Sequence, residues 1–127
     1  MPARKRAESG QATVELALAL PILALLLAAL VEIGLLVADQ GRLWHAAREA
    51  VRVAVVDPDL ADARAAAERT GLRPLEVTVT PEVYLRRQGD PLTVTLRYRP
   101  PARVPLFGVL LERIDLAAEA TMRIEQP

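Results

Sequence analysis

Residues 9–34 read SGQATVELALALPILALLLAALVEIG. Positions 16–31 are 16 consecutive apolar residues, with a carboxylate at each end, Glu15 and Glu32. The apolar stretch runs on to residue 38, and Glu32 is its only polar side chain. As a helix, residues 16–38 would reach about 34 Å, enough for a hydrocarbon core of about 30 Å. Leu and Ala dominate, and both favour helix. Pro21 is tolerated in such a helix, at the cost of one hydrogen bond and a kink.

Charge sets the orientation. Arg4, Lys5 and Arg6 precede the run, while Asp39 follows it. Positive flanks stay in the cytoplasm. The expectation is a single pass through the cytoplasmic (inner) membrane, N-terminus inside and the C-terminal domain extracytoplasmic. Trp44 is read either as a headgroup-level aromatic or as a packing residue of the outer domain.

A cleavable secretory signal is a poor account of the run. Its apolar core is about 7–15 residues, and Leu36-Val37-Ala38 offers no small-x-small cut site. The chain has no Cys, so it is not a lipoprotein and has no disulfide framework. A plain anchor explains all but two features, the Ser9-Gly10 pair and Glu15. An ionised carboxylate costs about 2.5–3.5 kcal/mol at mid-bilayer. Glu15 sits nearer the edge, where the cost is lower, yet no basic residue follows it within the helix.

Gly10, then four residues, then Glu15 resembles a prepilin processing site. The run Ala12-Thr13-Val14-Glu15-Leu16-Ala17-Leu18, then Leu20-Pro21 and Val31-Glu32-Ile33-Gly34, resembles the TadE-like minor pseudopilins of the Tad (Flp-type, type IVb) pilus apparatus. Residues 119–125, EATMRIE, resemble that family's closing strand. Gln11 stands where many pilins begin with Phe or Met, and Leu16 where Phe is common.

The resemblance implies a minor pseudopilin of a Tad/Flp-type pilus or related secretion system, supporting filament assembly. A prepilin peptidase would cut between Gly10 and Gln11, where glycine takes extended geometry cheaply. The basic leader, residues 1–10, would be lost. Glu15, then fifth in the mature chain, would meet the freed amine of a neighbouring subunit and set assembly register. The implied partners are the peptidase, other pseudopilins and pilin subunits, and membrane lipid. The alternative function is an uncleaved, membrane-anchored extracytoplasmic binding domain. Glu32 also has two readings: an intramembrane contact with a partner pseudopilin, or a carboxylate snorkelling to the outer interface. The second is preferred. Gly34 is read either as a point of close helix approach or as the end of the segment.

Beyond residue 38 the pattern is α+β. From 41 to 56, Arg42, His45, Arg48, Glu49 and Arg52 share one helical stripe; Leu43, Ala46, Ala47, Ala50, Val51 and Ala54 take the rest. The membrane helix is expected to continue here, with a break near Gly41. Asp57-Pro58 should stop it, Asp57 capping a second helix with Pro58 at its first position. Gly71 should end that helix. The period then becomes two: Leu75, Val77, Val79; Leu92, Val94, Leu96, Tyr98; and Leu116, Ala118, Ala120, Met122, Ile124. These are antiparallel strands with one buried face, with a fourth short strand allowed over 83–87. The outline is pilin-like, one long helix carrying a small antiparallel sheet. The expected division is 1–10 leader, 11–38 transmembrane helix, 39–127 extracytoplasmic domain. PPARVPLFGVLLER, residues 100–113, is either an exposed subunit contact or, by preference, a connection folded back on the core.

The chain carries 16 basic and 16 acidic residues. With no basic excess, nucleic acid is not an expected partner. One His and no Cys make a zinc site implausible. Asp57, Asp59 and Asp62 lack the glycine and final Glu of an EF-type loop, and helix capping accounts for them. The Arg-bearing stripe would face solvent, or else lipid phosphates. No phosphate loop or nucleophile elbow is present; neither enzyme activity, cofactor, metal nor small-molecule substrate is expected.

Overall fold

The computed structural model describes residues 4–125, with side chains from residue 10 onward. The start of the expected basic leader, residues 1–3, lies outside the described residues. The fold is α+β, a long N-terminal helix followed by a three-stranded antiparallel sheet. Helix α1 runs Arg4–Ala54 and α2 runs Leu60–Glu68. The strands are β1 (Leu75–Thr80), β2 (Pro91–Tyr98) and β3 (Leu116–Arg123), in the order β1-β2-β3. A four-residue helix, α3 (Gly108–Leu111), precedes β3.

Helix α1 has 51 residues and is about 77 Å long. The expected break at Gly41 is absent; Gly41 is helical and exposed. A glycine inside a helix costs only about 1 kcal/mol. Here Asp39 and Leu43, on either side of it, are both buried against the rest of the fold, which holds the helical path. Pro21 likewise sits inside the helix without ending it.

The sheet lies on the C-terminal part of α1. Leu43, Ala46, Ala47, Ala50, Val51 and Ala54 are buried, as their stripe predicts. They meet Leu92, Val94, Leu96 and Tyr98 of β2, Ala118 of β3, and Ala63, Ala67 and Leu72 from α2 and its exit. The many alanines allow the helix backbones and β3 to approach closely. The registers pair Val77 with Leu96, Val79 with Val94, and Leu96 with Ala118, so one face is apolar throughout. Arg42, His45, Arg48 and Arg52 are exposed on the opposite side of α1. Trp44 is 53% exposed, so it is no packing residue of this core.

Two further local expectations are corrected. The cap of α2 is Asp59, whose Oδ1 accepts from Ala61 N at 2.8 Å. Asp57 instead accepts from Asp59 N at 2.8 Å, an Asx turn that moves the helix start past Pro58. The fourth strand over 83–87 does not form. Val83–Leu85 is a 3₁₀ turn with all three side chains exposed, and Arg86 Nε donates to Pro81 O at 3.1 Å. Glycine is required at 71 and 89, where φ is +81° and +87°. At the turn before β2, Gly89 N donates to Ile124 O, and Ile124 N to Asp90 O, both at 2.9 Å. The end of the described chain is fastened just past α1, since Glu125 N donates to Val55 O at 3.2 Å.

Leu96 is fully buried and Tyr84 is 79% exposed. Leu96→Ala should destabilise the fold by about 2–5 kcal/mol, and Tyr84→Ala by no more than about 0.5 kcal/mol. Pulse proteolysis of the detergent-solubilised chain across a urea series would measure both.

A second prediction concerns the open end of the β2–β3 pair. Arg99 Nε donates to Asp115 Oδ1 at 2.9 Å, on the surface. The hydrogen bond from Arg99, then its charge and that of Arg97, hold the Asp115 carboxyl below the usual aspartate range despite some desolvation. A lowered native pKa stabilises above the unfolded value, and that contribution fades as pH falls through the native one. Arg99→Gln should return the Asp115 titration, followed by carboxyl NMR, to the ordinary range.

Candidate functional site

Two regions of α1 differ sharply in what covers them. From residue 10 to residue 27 every side chain is exposed. That is about 27 Å of bare helix. The predicted processing residues, Gly10 and Gln11, lie there as helical, exposed positions, and a side chain at Gly10 would meet nothing within 4 Å. Glu15 is exposed and makes no ion pair among the described residues. It lies about 100° around the helix from Glu32, from 17 steps of about 100° each.

Cover begins at Ala28 and Ala29, half-buried, and follows one face through Glu32, Leu35, Leu36, Asp39 and Leu43 into the core. Two carboxylates are part of this face. Glu32 is 3% exposed and Asp39 is 1% exposed. They are two helical turns apart, on one side, and grip the same segment. Glu32 Oε1 accepts from Arg103 N at 3.3 Å, and Oε2 from Val104 N at 3.0 Å. Asp39 Oδ2 accepts from Arg103 Nη2 at 2.9 Å, while Oδ1 faces Arg42 Nη1 at 3.7 Å. Arg103 therefore bridges both acids, through its main chain below and its guanidinium above. Gln40 adds a third tie, its Nε2 donating to Ala117 O at 2.9 Å.

Buried carboxylates are expensive unless hydrogen-bonded. Here each has donors, and no buried side-chain polar atom among the described residues lacks a partner. Tyr98 stands nearby. Burial, and then the negative charge of Asp39, push its phenol pKa up, with Arg103 and Arg42 opposing. The cluster holds no nucleophile or acid–base pair facing a substrate cavity. It acts as a latch, fastening the β2–β3 connection to α1.

Both readings of Glu32 left its carboxylate available at the membrane, to a partner or to the outer interface. Its oxygens are instead taken by two N–H groups of its own chain. The reason is the connection, residues 100–113, which folds back along α1 as preferred but also leaves Leu106, Val109 and Leu110 exposed. In the sequence Asp39 was read only as a flanking charge, and Arg103 was not singled out. The signal was there: positions 32, 35, 36, 39, 43, 46, 47 and 50 form one continuous i, i+3, i+4 series.

Glu32→Ala should strip amide protection from Arg103 and Val104. Hydrogen bonds to a charged group are worth about 1.5–3 kcal/mol, so their exchange should speed by about tenfold to a hundredfold. Arg103→Ala should destabilise the fold by about 3 kcal/mol, because it removes the hydrogen-bond donor of the buried Asp39 carboxylate. It leaves both N–H bonds to Glu32 in place, so those amides should stay protected. Hydrogen exchange read by mass spectrometry separates the two.

Comparison with known proteins gives one family. The TadE-like protein model matches residues 10–52. That stretch covers Gly10, Gln11, Glu15, Glu32 and Asp39, and stops before α2, the sheet and Arg103. Neither the curated proteins nor the solved structures gave a match. The described residues hold one helix long and apolar enough to cross a membrane, and it lies in the same stretch. Over residues 10–52 the chain is thus similar to the TadE-like family, which its N-terminal pattern also resembles.

Proposed function

We propose that this chain is a minor pseudopilin of a Tad/Flp-type pilus or related secretion system. The TadE-like match over residues 10–52 supports a Tad pilus-associated protein. The observation that carries the finer reading is the bare apolar helix of residues 10–27, with Glu15 as its sole acid. Within its own fold this surface meets Phe107 beside Ile22, Leu23 and Leu26, and its side chains stay exposed. It requires lipid, or the same kind of helix on another subunit, as cover.

On this reading a prepilin peptidase cuts between Gly10 and Gln11 on the cytoplasmic side. The cut site lies within α1, so the enzyme has to open a short length of helix. Gly10 eases that, since glycine favours the helix less than alanine by about 1 kcal/mol. After cleavage, Glu15 is near a new N-terminus. The amine of a neighbouring subunit supplies the cation that the helix lacks, and the pair fixes the axial position of one subunit against the next. The partners are then the peptidase, pilin and pseudopilin subunits, and the lipid of the cytoplasmic membrane. The sheet stands outside the membrane, as the positive N-terminal flank requires. No step needs catalysis by this chain.

Coexpression with a Tad-type prepilin peptidase tests the processing. The expected product is a chain of 117 residues beginning at Gln11, lost when Gly10 is replaced by Leu. Glu15→Leu should still be cut, but should no longer copurify with its pseudopilin partners. Normal copurification of that variant would sink the register role. A full-length chain, where a control prepilin is cut, would favour the uncleaved anchored domain.

A further inference from the structure

Residues 105–111 read PLFGVLL, seven positions without a polar side chain. They form a 3₁₀ turn, Pro105–Phe107, running straight into α3. Only Leu111 is buried. Leu106, Val109 and Leu110 are 70%, 77% and 66% exposed, a cluster that water would penalise.

The position of this cluster along α1 is what matters. The latch pins Arg103 and Val104 at Glu32. From there the chain turns toward the N-terminal end of the helix. Phe107 lines an apolar groove with Ile22, Leu23, Leu26 and Ala29. The middle of that groove is about 10 Å further along α1 than Glu32. Residues 22–29 lie well inside the apolar run. If the run fills the hydrocarbon, Phe107 is in it too.

The flanks agree with that depth. Arg103 precedes the segment, Glu112 and Arg113 follow it, and Glu32, Asp39 and Arg42 lie at the same end. Asp39 and Arg42, past the apolar run, mark a headgroup level, and Phe107, against residues 22–29, lies beneath it. A depth of about 5–10 Å is usual for apolar groups that dip below the headgroups. The backbone is also suited to such a place, where unmet polar groups are costly. Pro105 has no N–H to satisfy. Phe107 N donates to Val104 O, Gly108 N to Pro105 O, and Glu112 N to Gly108 O. Arg103 N and Val104 N are met by Glu32.

We propose that residues 105–111 form a second membrane contact. The loop inserts beside α1 into the leaflet on the side of the sheet, with Leu106, Val109 and Leu110 among the lipid acyl chains. The occupant is lipid because the patch continues the bare apolar flank of α1 at the same depth. The proposal rests on α1 spanning the membrane, and on nothing about filament assembly. It gives the sheet a fixed standing on the bilayer, held at two points.

The chain has no cysteine, so single-cysteine variants can be labelled cleanly. Leu106→Cys, Val109→Cys and Leu110→Cys would each carry an environment-sensitive fluorophore. Ile22→Cys, 71% exposed on α1, and Tyr84→Cys, 79% exposed beside the sheet, are the references. All five positions are exposed, so the fold should survive. The full-length chain is reconstituted in phosphatidylcholine vesicles with doxyl-labelled lipid or with aqueous iodide. The expected result is blue-shifted emission from the three loop labels, with loss of fluorescence to doxyl lipid matching that at residue 22. The label at residue 84 should respond to iodide alone. Loop labels open to iodide, with residue 22 quenched by lipid, would overturn the insertion and leave the spanning helix standing. Loop labels shielded from both quenchers would overturn it in favour of a protein partner. A label at residue 22 that ignores doxyl lipid would remove the spanning helix, and the insertion with it.

Discussion

One helix must satisfy two solvents, and the changeover is made at Glu32. Below it, from residue 16, α1 is apolar on all sides and exposed as far as residue 27. Above it, α1 is amphipathic, with one face in a protein core and an arginine-bearing face in water. An uninterrupted helix suits both halves because its backbone is satisfied internally whatever surrounds it. What must change is the side-chain cover, and the latch of Glu32, Asp39 and Arg103 is where cover begins. Without donors from the β2–β3 connection, Glu32 would be unpaired and Asp39 would keep only Arg42 at 3.7 Å, each opposing the association that the apolar residues drive.

The same arrangement explains why the sheet is so small. Three strands with one apolar face need a partner for that face, and α1 supplies most of it. Alanines at 46, 47, 50, 54, 63, 67 and 118 bring the layers close together. Leu43, Leu92, Leu96 and Val94 provide the bulk between them. The outer part of α1 is thus structural core for the sheet, whereas residues 10–27 leave every side chain exposed. Stability of the domain and burial of the bare helix are separable, because different residues carry them.

Much of this was legible in the sequence. Period-two alternation located all three strands, and the 3.6-residue stripe over 41–56 named the residues that face the core. The misses have physical causes. Gly41 reads as a breaker by intrinsic propensity, but flanking burial overrides a preference of about 1 kcal/mol. Asp57 and Asp59 are equally good caps by type, and only the geometry around Pro58 decides between them. Residues 83–87 carry strand-favouring side chains but turn instead after Pro81. Glu32 was judged by its sequence neighbours, all apolar, which suggested lipid. Its true neighbours lie 71 and 72 positions away, and no local pattern announces a backbone N–H as partner. The TadE-like segment, by contrast, was recognisable because its signal is local and linear.

The missing break at Gly41 has a mechanical consequence. A chain with a swivel there would let the sheet point in any direction, whatever the buried end did. Here the helix continues unbroken from residue 10 to the sheet, through both Pro21 and Gly41. Any contact that fixes the azimuth of Glu15 also fixes the azimuth of the sheet, offset by a constant angle. If copies pack with a regular rotation at their buried ends, their outer domains follow with the same phase, like cams on one shaft.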